Sequence, residues 1–242
     1  MKLIQVRNYE EMSQTACSYI LDKLKAIENP VLGLATGATP EGLYRYLIQS
    51  YQEKKVSFQN LKTFNLDEYI NLDKNHPNSY FHYMQKRFFQ YVDILEENQN
   101  LPNGKAENLK AECQAYEDKI SQAGKIDLQV LGIGVNGHIG FNEPGTAFTS
   151  RTHVVTLDDC TRTANAKYFA SLNEVPSKAI TMGIKTIMES KEIVLLVTGR
   201  KKASALRRLL NGEVDEEFPA SILKIHPNAT IIADEKALIE LS

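Results

Sequence analysis

Along the chain, short continuous apolar runs alternate with segments in which apolar residues recur at helical spacing. Residues 2–6 form the first run, and Asn8 with Glu11 three positions on makes a helix start. Met12, Ala16, Ile20, Leu24 and Ile27 then line one face of a helix predicted to close near Asn29 and Pro30. Further strands are expected at 31–35, 61–66, 126–131, 152–157, 179–184, 192–198 and 229–233. Helices are expected from Pro40 as first helical residue, over 77–91 and 107–123 on either side of a Pro102, Asn103, Gly104 turn, after Gly199, and at the C-terminal end. The run EIVLLVT at 192–198 is apolar enough to be buried on both faces. This alternation predicts an α/β architecture: one domain over 1–242, built on an open, mostly parallel sheet of about seven strands flanked by helices, with right-handed crossovers.

Composition narrows the function classes. A chain of 242 residues that is 43 % hydrophobic and 24 % charged is ordinary for a globular protein with a sizeable core. With 28 basic and 30 acidic side chains there is no basic footprint for nucleic acid, so local groups must hold any anionic ligand. Cys17, Cys113 and Cys160 are widely spaced and form no C-x-x-C pair, which fits a reducing compartment and no zinc site. The start MKLIQVRNYEE has no signal-peptide core and no apolar run approaches a membrane span, so a cytoplasmic protein is expected.

The chemistry concentrates in LGIGVNGHIGFNEPG, residues 131–145. Its five glycines follow the apolar run 126–131, the pattern of a buried strand opening into a loop that can lie close against a small ligand. Asn136, His138, Asn142 and Glu143 put an imidazole, two amides and a carboxylate in one segment, a set suited to proton transfer; the same residues also suit a plain solvated turn. Gly132, Gly134 and Gly137 spell G-x-G-x-x-G, with Asp158 about twenty residues on. A dinucleotide site would need a helix to begin at the third glycine, and Pro144 and Gly145 interrupt any helical period there.

Three further stretches carry candidates. Thr36, Gly37, Ala38 and Thr39 join a strand to a helix, the geometry of an anion site, although Thr39 and Pro40 equally explain a capped helix start. Asp67 stands at the carboxyl end of a predicted strand, where a base or a helix cap is expected. Gly199, Arg200, Lys201 and Lys202 open a helix carrying Leu206, Leu209 and Leu210, as anion ligands or as solvated surface. Residues 158–172 are helical in pattern and light in large apolar side chains, which marks a loosely anchored candidate lid. His76 and His82 read as structural.

In order, LGLATGATPEGLY, TFNLDEY, HPNSY, GIGVNGHIGFNEPG with SRTHVVTL, and TGRKKA resemble the glucosamine-6-phosphate deaminases along nearly the whole chain. The 6-phosphogluconolactonases share the phosphate turn and the G-x-G-x-x-G-H core but lack the N-E-P found here at Asn142, Glu143 and Pro144. The resemblance implies a modified Rossmann-like fold and the conversion of glucosamine 6-phosphate and water to fructose 6-phosphate and ammonium, a step of amino-sugar catabolism, with no metal, redox or other cofactor. It implies Asp67 as the base between C2 and C1, His138 as the acid/base that opens the ring, and Glu143 with Asn136 orienting and charging that histidine. Thr36, Gly37, Ala38 and Thr39 would bind the phosphate, with Lys167 and Lys202. A silent sugar-phosphate sensor would normally carry a DNA-binding segment, for which neither end has room or charge.

Two departures from the family pattern bear on this. Asn136 replaces an aspartate of some members and adds no charge to bias His138, and Lys167 replaces an arginine of larger members, a point charge for a fork. His153 and Val155 stand where allosteric members carry an arginine and a lysine of an anion site, and those members have a longer tail than this chain, which stops at Ser242. The expectation is a monomer or small homo-oligomer rather than the allosteric hexamer, acting on a small sugar phosphate with no nucleic-acid or membrane partner and without activation by N-acetylglucosamine 6-phosphate.

Overall fold

The computed structural model describes residues 1–241, with nothing described of the Cys160 and Ala164 side chains. Ser242 and the reading of Cys160 as a reduced thiol therefore lie outside the described residues; Cys17 and Cys113 are buried free thiols. The elements are β1 (Lys2–Val6), α1 (Tyr9–Leu24), β2 (Val31–Leu34), α2 (Glu41–Gln52), β3 (Lys62–Asn65), β4 (Asp67–Tyr69), α3 (Tyr80–Arg87), β5 (Gln99–Asn100) and α4 (Leu109–Gln122). Then follow β6 (Leu128–Leu131), β7 (His153–Thr156), α5 (Asp159–Asn165), β8 (Lys178–Thr181), α6 (Ile184–Met188), β9 (Glu192–Val197), α7 (Ala203–Asn211), β10 (Ala229–Asp234) and α8 (Glu235–Leu238).

Seven strands in the order β1-β10-β9-β6-β2-β3-β5 form one sheet, and every pairing in it is parallel. The expected class is therefore the observed one. Side-chain alternation divides β9 between two cores. Ile193, Leu195 and Val197 meet Leu206 and Leu209 of α7 and Tyr116 and Ile120 of α4, whereas Val194 and Leu196 meet Met12, Ala16 and Ile20 of α1 and Leu43, Tyr44 and Leu47 of α2. A strand apolar at every position is what a sheet covered on both faces requires.

Membership of the sheet differs from the sequence expectation. The strands expected at 152–157 and 179–184 are β7 and β8, which pair antiparallel with each other and with β4 in a separate three-stranded sheet. Burial along β7 alternates, while β2, β6 and β10 are buried throughout, so β7 carries the signature of a sheet with one open face. The seventh strand of the main sheet is β5, two polar residues without an apolar signal. Its backbone pairs with β3, the Asn100 amide donates to the Thr63 carbonyl at 3.0 Å, and the Tyr116 hydroxyl donates to the Asn100 carbonyl at 3.2 Å.

Element ends also moved. The first helix ends at Leu24, not near Pro30. Pro40 caps α2 rather than beginning it. Ser79 accepts the His82 amide and starts α3 at Tyr80, and the remainder of 77–91 is a 3-10 turn at Phe89–Tyr91. In 158–172 the helix stops at Asn165 and passes into a 3-10 turn, Ala166–Tyr168. Among the described residues no helix is long and apolar enough to cross a membrane.

Candidate active site

Four loops leave the carboxyl ends of β2, β3, β6 and β9 and meet over one end of the sheet, where parallel α/β sheets bind ligands. A cavity of about 410 Å³ lies there, lined by Thr36, Gly37, Ala38, Thr39, Asp67, Asn136, His138, Lys167 and Lys202 among others. Nine of the ten residues that the resemblance assigns to the site thus face one space. The tenth, Glu143, stands behind His138.

The β2–α2 turn forms one wall. Gly37 sits at φ +94°, a conformation that side chains rarely adopt. Tyr83 donates its hydroxyl to the Gly37 carbonyl at 2.7 Å, and Tyr9 donates to the Ala38 carbonyl at 3.0 Å. Two carbonyls are thus engaged by tyrosines; the Tyr9 hydroxyl also accepts the Gly42 amide in the first turn of α2 at 2.7 Å, while Pro40 provides no capping side chain, so the turn before the helix is disposed to receive an anion. Lys202 approaches from β9: Asp234 accepts the Thr198 hydroxyl at 2.6 Å and the Gly199 amide at 3.0 Å, holding the turn that presents it. Burial holds the Lys202 ammonium below its ordinary range. Such a cation has more to gain from an anionic partner than a solvated one.

Asp67 enters from the place where the chain changes sheets. Leu66 donates its amide to Leu34 of β2 and accepts the Met182 amide, so the next residue begins β4 directly over the end of β3. Asp67 is 6 % exposed. Burial, and then the like charge of Glu68, push its carboxyl up to about 8. A carboxyl titrating there is matched to general-base work near neutrality. Tyr80, from the first turn of α3, lines the same wall, stacked on Phe141 at 6.1 Å.

The β6 loop supplies the imidazole. Gly134 packs against the His138 ring, and its amide donates to the His138 carbonyl at 2.9 Å. Nδ1 of His138 lies 3.3 Å from Oε2 of Glu143. Asn136 donates Nδ2 to the same oxygen at 2.7 Å while its Oδ1 accepts the His138 amide at 3.3 Å. Thr161 of α5 donates to Oε1 of Glu143 at 2.5 Å. Burial alone would raise the Glu143 carboxyl, but the bond to His138, its charge, Thr161 and Asn136 outweigh burial and hold it below the ordinary carboxylate range. Asn136 is therefore a donor that keeps Glu143 ionised, a role that its lack of charge does not describe.

Some sequence readings resolve differently. Asn142 is no part of the cavity: its amide donates to the Ile139 and Met182 carbonyls and pins the loop to β8. No helix begins at Gly137, whose carbonyl accepts the Ala220 amide, so the physical requirement of a dinucleotide fingerprint is not met. His76 accepts the Asn78 amide and stacks on Phe169, in keeping with a structural part. Tyr80 and Thr161 were missed, since one hydroxyl in a helix-forming stretch gives no signal of its own. Among the described residues no group of three or more His, Cys, Asp or Glu side chains is placed to hold a metal ion.

The family model described as glucosamine-6-phosphate isomerases/6-phosphogluconolactonase matches residues 7–232. The chain belongs to this family. A glucosamine-6-phosphate deaminase of Oceanobacillus iheyensis is 59 % identical over 242 residues, covering 100 % of this chain and 97 % of that one. Glucosamine-6-phosphate deaminase 1 of Bacillus subtilis is 53 % identical over 237 residues, 98 % of each. The solved structure of a monomeric glucosamine-6-phosphate deaminase matches with a TM-score of 0.97 at 52 % identity, covering 100 % of both chains. A 6-phosphogluconolactonase of Trypanosoma cruzi shares the fold, with a TM-score of 0.80 at 20 % identity over 100 % of this chain and 97 % of that one.

Proposed function

We propose that the protein is a glucosamine-6-phosphate deaminase, releasing fructose 6-phosphate and ammonium from glucosamine 6-phosphate and water. The observation that carries this reading is the placement of a buried carboxyl titrating near 8, Asp67, in one cavity with the His138–Glu143 pair and a cationic, amide-rich turn. Full-length identities of 53–59 % to curated deaminases support it.

The phosphate sits between the 36–39 turn and Lys202, with Lys167 reaching across from the 158–175 segment. His138, partnered by Glu143, takes the proton of the anomeric hydroxyl and returns one to the ring oxygen, so the C1–O5 bond breaks and C1 becomes an aldehyde. The cationic amine at C2 then lies near Asp67 and favours its ionised form; the carboxyl proton passes to solvent, leaving a carboxylate. That carboxylate removes the C2 proton and delivers it to C1, while one proton of the amine passes to O1. The C2–N bond becomes an iminium; water adds to C2, the C–N bond breaks, and ammonium leaves the ketose.

Buried free thiols at Cys17 and Cys113 fit a cytoplasmic protein. His153 and Val155, both on β7, give that strand no pair of bases for an effector phosphate, so the enzyme is unresponsive to N-acetylglucosamine 6-phosphate; the likeness to a monomeric deaminase supports a monomer or small homo-oligomer.

The test counts ammonium and fructose 6-phosphate in one tube from glucosamine 6-phosphate, with N-acetylglucosamine 6-phosphate and 6-phosphogluconolactone as separate substrates. Equal amounts of both products from the free amine only are expected. Hydrolysis of the lactone without ammonium release would overturn the reading.

A further inference from the structure

Between Leu157 and Val175 the described residues are exposed or half-buried, with Thr161 the one buried residue among them. It is 6 % exposed although polar, because its hydroxyl ends on Oε1 of Glu143 at 2.5 Å. The same segment carries Asn165, Lys167 and Tyr168, which wall the cavity. It is held together within itself by Arg162, whose guanidinium donates to the Leu172 and Val175 carbonyls at 3.2 and 3.3 Å. Half-buried Phe169, packed on Tyr69, gives the segment an apolar contact, and Thr161 adds a polar latch that ends on the carboxylate partnering His138.

We infer that Thr161 is a positioning residue that makes docking of the 158–175 segment a condition for a correctly oriented Glu143–His138 pair. The inference rests on the deaminase reading above. With the segment docked, Oε1 of Glu143 is taken by Thr161, so Oε2 is fixed toward Asn136 and Nδ1 of His138. With it undocked, Oε1 loses its Thr161 donor and the orientation of the carboxylate rests on Oε2. Lys167 lies on the same segment, so a substrate phosphate that draws Lys167 inward also sets Thr161 on Glu143. The phosphate end of the substrate is thereby coupled to the ring-opening end through one segment.

The groups facing Glu143 are His138 and Asn136 from its own loop and Thr161 from α5, while Asp67, Lys167 and Lys202 face the same cavity from other elements. Of these, only the Thr161 contact changes in a Thr161→Val variant, which keeps the side-chain shape and removes the hydroxyl.

The experiment compares Thr161→Val, Thr161→Ser and the parent enzyme. Its two readouts are turnover of glucosamine 6-phosphate and the pH titration of the Glu143 carboxyl carbon by NMR without ligand, assigned with Glu143→Gln. Thr161→Val is expected to raise the Glu143 midpoint by about one pH unit. It should also lower kcat about tenfold with KM within about twofold, because the phosphate contacts are untouched. Thr161→Ser should restore both. An unmoved midpoint with an unchanged kcat would overturn the latch, as would a Ser variant that fails like Val. A parent enzyme silent on glucosamine 6-phosphate, with the midpoint still raised in the Val variant, would remove the deaminase reading and leave the latch standing.

Discussion

Asp67 and Glu68 are adjacent on β4 and both buried, yet their surroundings are opposite. Glu68 accepts three backbone amides, those of Tyr69, Tyr80 and Phe81, each at 2.9 Å, and so caps the first turn of α3. Asp67 faces the cavity and is raised by burial first and by the charge of Glu68 second. Glu68 thus positions Tyr80 and adds to the basicity of its neighbour. Replacing it by glutamine removes the charge and mismatches one of the three amides.

Glu68→Gln is therefore expected to move the acid limb of kcat/KM to lower pH by about one unit, since removing a like charge favours the ionised Asp67. It should also lower Tm. The same substrate titrates in both enzymes, so the difference between the two profiles belongs to the protein. An unmoved limb would mean that Glu68 acts on α3 alone.

Asp67→Asn is expected to cost about 10²–10⁴ in turnover with substrate still bound, because proton transfer is lost and the phosphate contacts are kept. The stability effect runs the other way. The folded carboxyl titrates at about 8, against about 3.9 in an unfolded chain. Between those values the unfolded state holds fewer protons, so the parent loses stability as pH rises from about 4 to about 8. The asparagine variant is spared this loss. Thermal scans should show a gain in Tm near zero at pH 4 that grows to a plateau above pH 8, matching a stability difference on the order of a few kcal/mol.

Asn136→Asp tests the donor role. The Asn136 Oδ1 is committed to the His138 amide, which turns Nδ2 onto Glu143. An aspartate would set a second carboxylate oxygen there, and two such groups in hydrogen-bond contact share a proton. Below neutrality two groups rather than one must then ionise before turnover. The slope of log kcat/KM against pH should steepen from about one toward about two. A slope that stays near one would show that Glu143 ionises independently of residue 136.

The anion turn makes its own prediction through Lys202. Burial already holds this ammonium below its usual range, so a bound phosphate restores a partner as well as gaining one. Lys202→Met should raise KM about 10- to 100-fold and leave kcat within a few-fold, since the lysine contacts the substrate alike in ground and transition states. A kcat loss at saturating substrate would place Lys202 nearer the reacting carbons.

How far the sequence carried the reading depends on the kind of signal. The buried strands were visible as apolar runs, and the catalytic loop as glycines beside titratable groups. β5 was invisible because Gln99 and Asn100 are held by backbone pairing and side-chain amides, without an apolar pattern. β7 and β8 were read as strands but assigned to the wrong sheet, since periodicity reports exposure and not the partner. The ten site residues were found through motifs and the resemblance on five separate segments; their convergence came from the fold. Thr161 and Glu68 escaped notice because they act through a neighbour, and such a role has no sequence pattern.

The same loop yields a substitution that should disable the site without disturbing the fold. A β-carbon added at Gly134 would fall 2.4 Å from Cε1 and 2.5 Å from Nδ1 of His138. Gly134 is not at positive φ, so alanine imposes no backbone strain there, and the imidazole is the part that must yield. When the ring swings away, Nδ1 leaves Oε2 of Glu143, now 3.3 Å away, while the 36–39 turn and Lys202 stay in place. Gly134→Ala should lose about 10²–10³ in kcat, with KM nearly constant and Tm lower by only a few degrees. If displacement of His138 is the whole cause, the double variant Gly134→Ala, His138→Asn should be no slower than His138→Asn alone. Additive losses would show that the alanine also obstructs the substrate, and a Gly134→Ala enzyme of normal kcat would remove the packing of Gly134 on His138 from the account.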